Sequence, residues 1–153
     1  MITDRTITDV IKAKEIRASK IQKFIPLTAD EQSIVDRGLV SLDTLNRIEN
    51  KETELRNKLT DMGYMCERFY NSHWSAATFF TEADLNRIVR CVAYLRQAYY
   101  VYPDTPSNPA ARFYFEEFNK MEKVLEDIET MVGDMVSHYR ECDTFSCGEE
   151  SND

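Results

Sequence analysis

One phrase, written twice at a constant offset of 40 residues, does most to limit the fold: Leu45-Asn46-Arg47-Ile48 with Leu55-Arg56, and Leu85-Asn86-Arg87-Ile88 with Leu95-Arg96. A looser copy, Phe118-Asn119-Lys120-Met121 with Ile128, follows 33 residues after the second. In each, the apolar members fall at i, i+3 and i+10, which share one face of a 3.6-residue helix and split across the two faces of a strand. Six identities at one offset point to duplication or a common structural role. The repeated polar positions are Asn46, Arg47, Asn86, Arg87, Asn119 and Lys120, and the Asn side chains are expected in first turns, tying loop backbones.

Punctuation between the copies agrees with helices. Thr6 with Asp9, Thr28 with Glu31, and Thr81 with Asp84 have the spacing of reciprocal N-caps, and Ser41 is a further cap. Pro26, Gly38, Gly63 and Pro103 are the stops. The expected helices span 6–24, 29–37, 42–62, 82–100 and 112–139, within a single helical domain of residues 1–140. The first carries Ile7, Val10, Ile11, Ala18 and Ile21 as its apolar stripe. The third is polar all round between Asn50 and Glu54, which predicts a weakly covered stretch there. Residues 64–80 hold no helical period but are rich in aromatics, including Tyr64, Phe69, Tyr70 and Trp74, and read as a long packed connection. The last helix has the widest apolar face, through Phe118, Met121, Leu125, Ile128, Val132, Met135 and Tyr139. The fold class is therefore all-α: a bundle of four to five helices, three of them long, with a long aromatic connection and an extended acidic C-terminal tail at 141–153.

Charge removes one class of function. The net charge is 19 − 27 = −8, and a nucleic-acid binder needs a basic face. The charge is also uneven: residues 1–26 carry six Lys/Arg against three Asp/Glu, and residues 113–153 carry three against twelve. Two readings stand, solvated faces of opposite bias or complementary docking within or between subunits. Cys66, Cys91, Cys142 and Cys147 lie on no metal-type spacing and no N-terminal signal segment is evident, so free thiols in a reducing cytoplasm are expected, although Cys142 and Cys147 could pair. No apolar run approaches the roughly 18 residues that span a bilayer, so membrane insertion is not expected.

Catalytic and metal signatures are missing. His73 and His138 have no companion ligand at metal spacing, Glu-x-x-His pairs are absent, and there is no phosphate loop or nucleophile elbow. Glu122, Glu126 and Glu129 read as a solvated face. The aromatics around the proline loop (Tyr94, Tyr99, Tyr100, Tyr102, Phe113, Tyr114 and Phe115) read either as glue between helix ends or as a platform for a sugar or protein partner. Neither an enzyme nor a cofactor is expected.

Several phrases stand in an order found elsewhere: Met1-Ile2-Thr3-Asp4-Arg5-Thr6, Asp43-Thr44-Leu45-Asn46-Arg47-Ile48-Glu49, Trp74 leading to Phe80-Thr81-Glu82-Ala83-Asp84, Tyr102-Pro103-Asp104-Thr105-Pro106, Phe118-Asn119-Lys120-Met121-Glu122-Lys123-Val124-Leu125, and Thr144-Phe145-Ser146-Cys147-Gly148-Glu149. Across nearly its whole length the chain resembles a helical module of tail-associated structural proteins from phages and prophages of Gram-positive (Firmicutes) bacteria. The resemblance implies a non-enzymatic virion component, an adaptor or peripheral protein of the tail or baseplate. Its partners would be other tail proteins and copies of itself, and its location the virion, with the host cytoplasm during assembly. In such proteins the helical module often precedes a β-rich region; the sequence stops four residues after Glu149, so a receptor-binding role is not expected of it. The partner-contacting residues expected are Tyr100, Tyr102, Phe113, Tyr114, Phe145 and Glu149. The alternative is a small cytoplasmic regulator that binds one phage or host protein.

Overall fold

The computed structural model describes residues 1–67, 70–98 and 101–142, with side chains to Ser137. Among them the secondary structure is entirely helical: α1 (Ile7–Ser19), α2 (Ala29–Gly38), α3 (Leu42–Asp61), α4 (Glu82–Ala98) and α5 (Phe115–Cys142), with one 3-10 turn at Ile21–Lys23. Phe69, Tyr99, Tyr100 and the segment 143–153, which includes Phe145 and Glu149, lie outside the described residues. So do the side chain of Tyr139 and the tail beyond Cys142.

Three helices make the core. α3, α4 and α5, of 20, 17 and 28 residues, bury Leu45, Ile48, Leu55, Leu59, Leu85, Ile88, Val92, Leu95, Phe118, Met121, Leu125, Ile128 and Val132 as one cluster. These are the apolar positions of the repeat and of the stripes that continue it, so each copy of the phrase supplies one wall. Trp74 joins the cluster from the long connection. Its ring meets Phe80 edge-on at 5.0 Å, Phe80 meets Phe113 at 5.3 Å, and Phe113 leans on Phe118 at 6.1 Å. This row carries the connection across the entry to α5.

The first two helices form a hairpin beside this core. They pack closely on each other, and the cluster draws none of its buried residues from either. The contact is tight because Gly38 lies against α1: a Cβ there would come within 2.2 Å of the Asp9 carbonyl oxygen and 2.5 Å of the Ala13 Cβ. Gly38 is thus a crossing point as well as a helix end. The α1 line that meets α2 runs through Ala13, which leaves the α1 stripe outward, with Ile7 59% and Ile11 50% exposed.

Helix ends follow local chemistry. The reciprocal caps of α1 and α2 form at Thr6/Asp9 and Thr28/Glu31, and Thr81 and Asp84 exchange the same bonds ahead of α4. α1 ends at Ser19, five residues short of its expected limit at 24. Pro26 disfavours α geometry at Ile25, so the chain tightens into the 3-10 turn and Phe24 takes a left-handed conformation with φ 57°. α5 begins at Phe115, later than the expected 112, because the chain ahead is folded into its own turn, in which Arg112 N–H bonds the Ala110 carbonyl and the Glu117 carboxylate accepts from Ala110 N–H at 2.7 Å. At its other end α5 runs past 139 to Cys142.

Ile128 is fully buried on α5, and a charge in that position without a partner is among the costliest substitutions a core can take. Ile128→Asp is expected to abolish cooperative thermal unfolding followed by circular dichroism. A variant that stays soluble and melts like the parent would contradict this core.

Candidate functional site

The repeat has a structural meaning that its apolar residues do not disclose. Asn46 on α3 grips the backbone of Trp74, accepting from its N–H at 2.7 Å and donating to its carbonyl at 2.8 Å. Glu49, one turn on, accepts from Ser72 N–H at 2.9 Å. On α5 the same spacing recurs: Asn119 grips Arg5, donating to its carbonyl at 2.9 Å and accepting from its N–H at 3.3 Å, and Glu122 accepts from Ile2 N–H. An Asn-x-x-Glu pair on a helix therefore holds a non-helical strap by its main chain, once for residues 72–74, where His73 takes a left-handed φ of 49°, and once for residues 2–5. The amide suits this job because it offers a donor and an acceptor side by side, matching one residue's C=O and N–H.

The repeated arginines cross between helices to the same carboxylates. Arg47 on α3 donates to Glu122 at 2.6 Å. Arg87 on α4 donates to Glu49, and also to the Tyr70 carbonyl at 2.6 Å and the Ser72 hydroxyl at 2.7 Å. Arg5 reaches Glu122 at 3.1 Å with both side chains almost wholly buried. Burial pulls the Arg5 guanidinium below its ordinary value, against the opposing pull of Glu122. The copies are not equivalent. Among the described residues Asn86 bonds only its own helix, at the Glu82 carbonyl, and Lys120 pairs with Glu117 one turn back. Copy one carries both the clamp and the bridge, copy two the bridge, copy three the clamp.

One expectation from the sequence fails at this network and a second holds only in part. Glu122 is not on a solvated face; it is fully buried. The polar stretch of α3 between Asn50 and Glu54 is open at its two ends but covered at its centre, where Glu52 is 1% exposed. The signal that could have found the clamps is the Asn-x-x-Glu spacing shared by 46/49 and 119/122, with Val89 breaking it in the middle copy.

The satisfaction is incomplete: Arg5 Nε, Arg47 Nε and Trp74 Nε1 are buried without a hydrogen-bond partner among the described residues, and so is Oε1 of Glu52. Burial, aided by the charge of Glu49 and opposed by Arg87, pushes its carboxyl well above the ordinary glutamate range. Nearby, burial first and then the negative charge of Glu52 push the Cys91 thiol up to about 12. Both side chains are buried, and burial disfavours the ionised form of each. Among the described residues no group of three His, Cys, Asp or Glu side chains could hold a metal ion.

A different place is open. Between α1, the start of α3 and the entry to α5 lies a groove of about 730 Å³. Ile7, Val10 and Ile21 line its α1 side, Leu39 and Val40 its end, and Phe113, Tyr114 and Phe115 the opposite wall; Lys14 and Arg17 stand along the α1 side. Phe113 and Tyr114, 57% and 61% exposed, come together here. Tyr102 does not; its hydroxyl donates to Asp134 at 2.9 Å on the flank of α5. Tyr100, Phe145 and Glu149 fall outside the described residues. The α1 members of the groove are legible in the sequence only as a stripe that reads as core.

In comparison with known proteins, no family model, curated protein or solved structure matches the chain. Among the described residues no helix is long and apolar enough to cross a membrane.

Two predictions follow the two halves of the network. Asn119→Ala leaves the Arg5 backbone without its partner and is expected to cost about 1–3 kcal/mol, and Glu122→Ala, which strands buried Arg5, about 3–5 kcal/mol; Asn86→Ala should change stability by less than about 0.5 kcal/mol. Urea unfolding of the three variants checks this, and equal losses at 86 and 119 would refute the clamp. Glu52 works the other way. Its folded-state pKa is raised, so its contribution to stability is fully present below its unfolded value of roughly 4.3 and is lost as pH rises through the folded value. Glu52→Met should therefore stabilise the protein at pH 8, by about 1–4 kcal/mol if the side chain packs well, with the advantage shrinking toward pH 4.5. A variant less stable than the parent at pH 8 would be the wrong sign.

Proposed function

We propose that this chain is a non-enzymatic structural protein of a phage virion, an adaptor or peripheral component of the tail or baseplate that works by protein–protein association. The observation that carries the reading is the apolar, cation-edged groove beside the hairpin. A chain that buries a whole ion pair, Arg5 with Glu122, in its interior still leaves Ile7, Phe113 and Tyr114 open to solvent, and an exposed apolar concavity of this kind marks a contact surface. Two further features fit. The clamps and arginine bridges hold one arrangement of three long helices, as a part that must present a fixed surface requires. The resemblance of the ordered sequence phrases to tail-associated modules supplies the setting, and in a rotationally symmetric tail such a part is present in several copies.

Particles purified from an induced lysate and quantified by mass spectrometry against the major tail subunit test the reading. A fixed stoichiometry, a small multiple of three or six, is the expected result. A protein abundant in the lysate and absent from particles would refute it and favour a free regulator that uses the same groove.

A further inference from the structure

We infer that the groove is the receptor for the acidic C-terminal segment of a second copy of this chain, so that copies join head to tail. The inference deepens the proposed assembly role and rests on it for its setting, while its physical argument is made from the groove and the sequence.

The groove asks for an occupant with an apolar anchor and negative charge. Its walls offer Ile7, Val10 and Ile21 against Phe113 and Tyr114, and its charged lining is Lys14, Arg17 and the inwardly paired Arg5 against one carboxylate, Glu116, which leaves the cations in excess. Lys14 and Arg17 are exposed, and neither pairs with a carboxylate among the described residues, in contrast to Arg5, Arg47 and Arg87, which are engaged inside. Residues 143–153 read Asp-Thr-Phe-Ser-Cys-Gly-Glu-Glu-Ser-Asn-Asp, with four carboxylates, no Lys or Arg, and one large apolar side chain, Phe145. Phe145 matches the aromatic wall, and Glu149 and Glu150, four and five residues later, match Lys14 and Arg17.

Reach decides whose segment it is. The groove wall at Phe113–Phe115 adjoins the first residue of α5, and the segment leaves from the last. A helix of 28 residues separates those points by about 40 Å at ~1.5 Å per residue. Phe145 lies three residues beyond Cys142, which gives it at most about 11 Å of backbone at ~3.6 Å per residue. Its own groove wall is out of range, so the Phe145 that fits there comes from another molecule. The contact uses different surfaces on the two copies, and contacts of that kind close into rings or run on as filaments according to the rotation between subunits.

The test is fluorescence anisotropy of a labelled peptide of residues 141–153, with Cys142 and Cys147 replaced by Ser, titrated with the full-length protein at low ionic strength. The expected result is saturable binding that weakens with salt. It should weaken at least tenfold in the Lys14→Glu/Arg17→Glu protein and at least tenfold with a Phe145→Ala peptide. A Glu149→Lys/Glu150→Lys peptide should recover affinity for the charge-reversed protein. Circular dichroism shows whether that variant is folded; should it not be, Lys14→Ala with Arg17→Ala takes its place, with a drop of at least threefold expected. No binding of the parent peptide, equal binding of a scrambled peptide, or binding of phosphatidylserine vesicles in place of the peptide would each overturn the inference. Stoichiometric presence in particles together with no peptide binding would overturn this contact alone; peptide binding by a protein absent from particles would overturn the virion reading alone.

Discussion

The structure depends on how two stretches of non-helical backbone are kept against a helical core. Main-chain N–H and C=O groups that leave water need partners, and among the described residues neither strap has a neighbouring strand to provide them. The partners come from helix side chains: Asn46 for Trp74 and Asn119 for Arg5. Once those bonds are made, Trp74 can be drawn into the core and Arg5 can be sunk beside Glu122. Neither residue could be buried with its backbone unpaired, since each orphaned group would cost about 1–3 kcal/mol.

The ionic bridges are the second tier of the same device. Each clamp carries a carboxylate one turn after its Asn, and each carboxylate takes an arginine from the neighbouring copy, Arg87 to Glu49 and Arg47 to Glu122. The carboxylates of these pairs are buried and the arginines partly exposed; such pairs add little net stability over a well-packed apolar core, and removing the arginine, which strands a buried carboxylate, is costly. Their effect is to make wrong registers expensive, because a helix shifted by one turn would strand several charges together. Glu52 shows the cost directly, as a carboxyl in the same stretch whose Oε1 goes unpartnered among the described residues. The hairpin of α1 and α2 lies outside this network apart from its root, where Arg37 pairs with Asp4 and Asp9. Its outward apolar stripe is consequently free to serve as a contact surface.

The all-α bundle is legible because its signals are local. Reciprocal caps at Thr6, Thr28 and Thr81 involve residues three apart, and the stripes of α3, α4 and α5 repeat within each helix. What the sequence hides is non-local. The stripe of α1 looks like those of the core helices, and only the close approach of Gly38 to Asp9 and Ala13 shows that α1 turns a different line inward. The carboxylates of Glu52 and Glu122 read as solvent-facing by residue type, because the arginines that neutralise Glu122 lie 75 and 117 residues away. The open groove is half legible: Phe113 and Tyr114 stand out by their aromatic rings, whereas Ile7, Val10 and Ile21 read as interior.

Native-state hydrogen exchange tests the central claim most directly, because the clamps act on single amide protons. If Asn46 and Asn119 hold the straps as part of the folded core, the N–H groups of Trp74 and Arg5 will exchange at the rate set by global unfolding, together with those of Leu55 and Ile128. Exposed amides in the same connection, such as that of Phe79, will exchange far faster. Exchange of Trp74 and Arg5 at the rate of Phe79 would mean that the straps open independently of the bundle, and would contradict a core built on the two clamps.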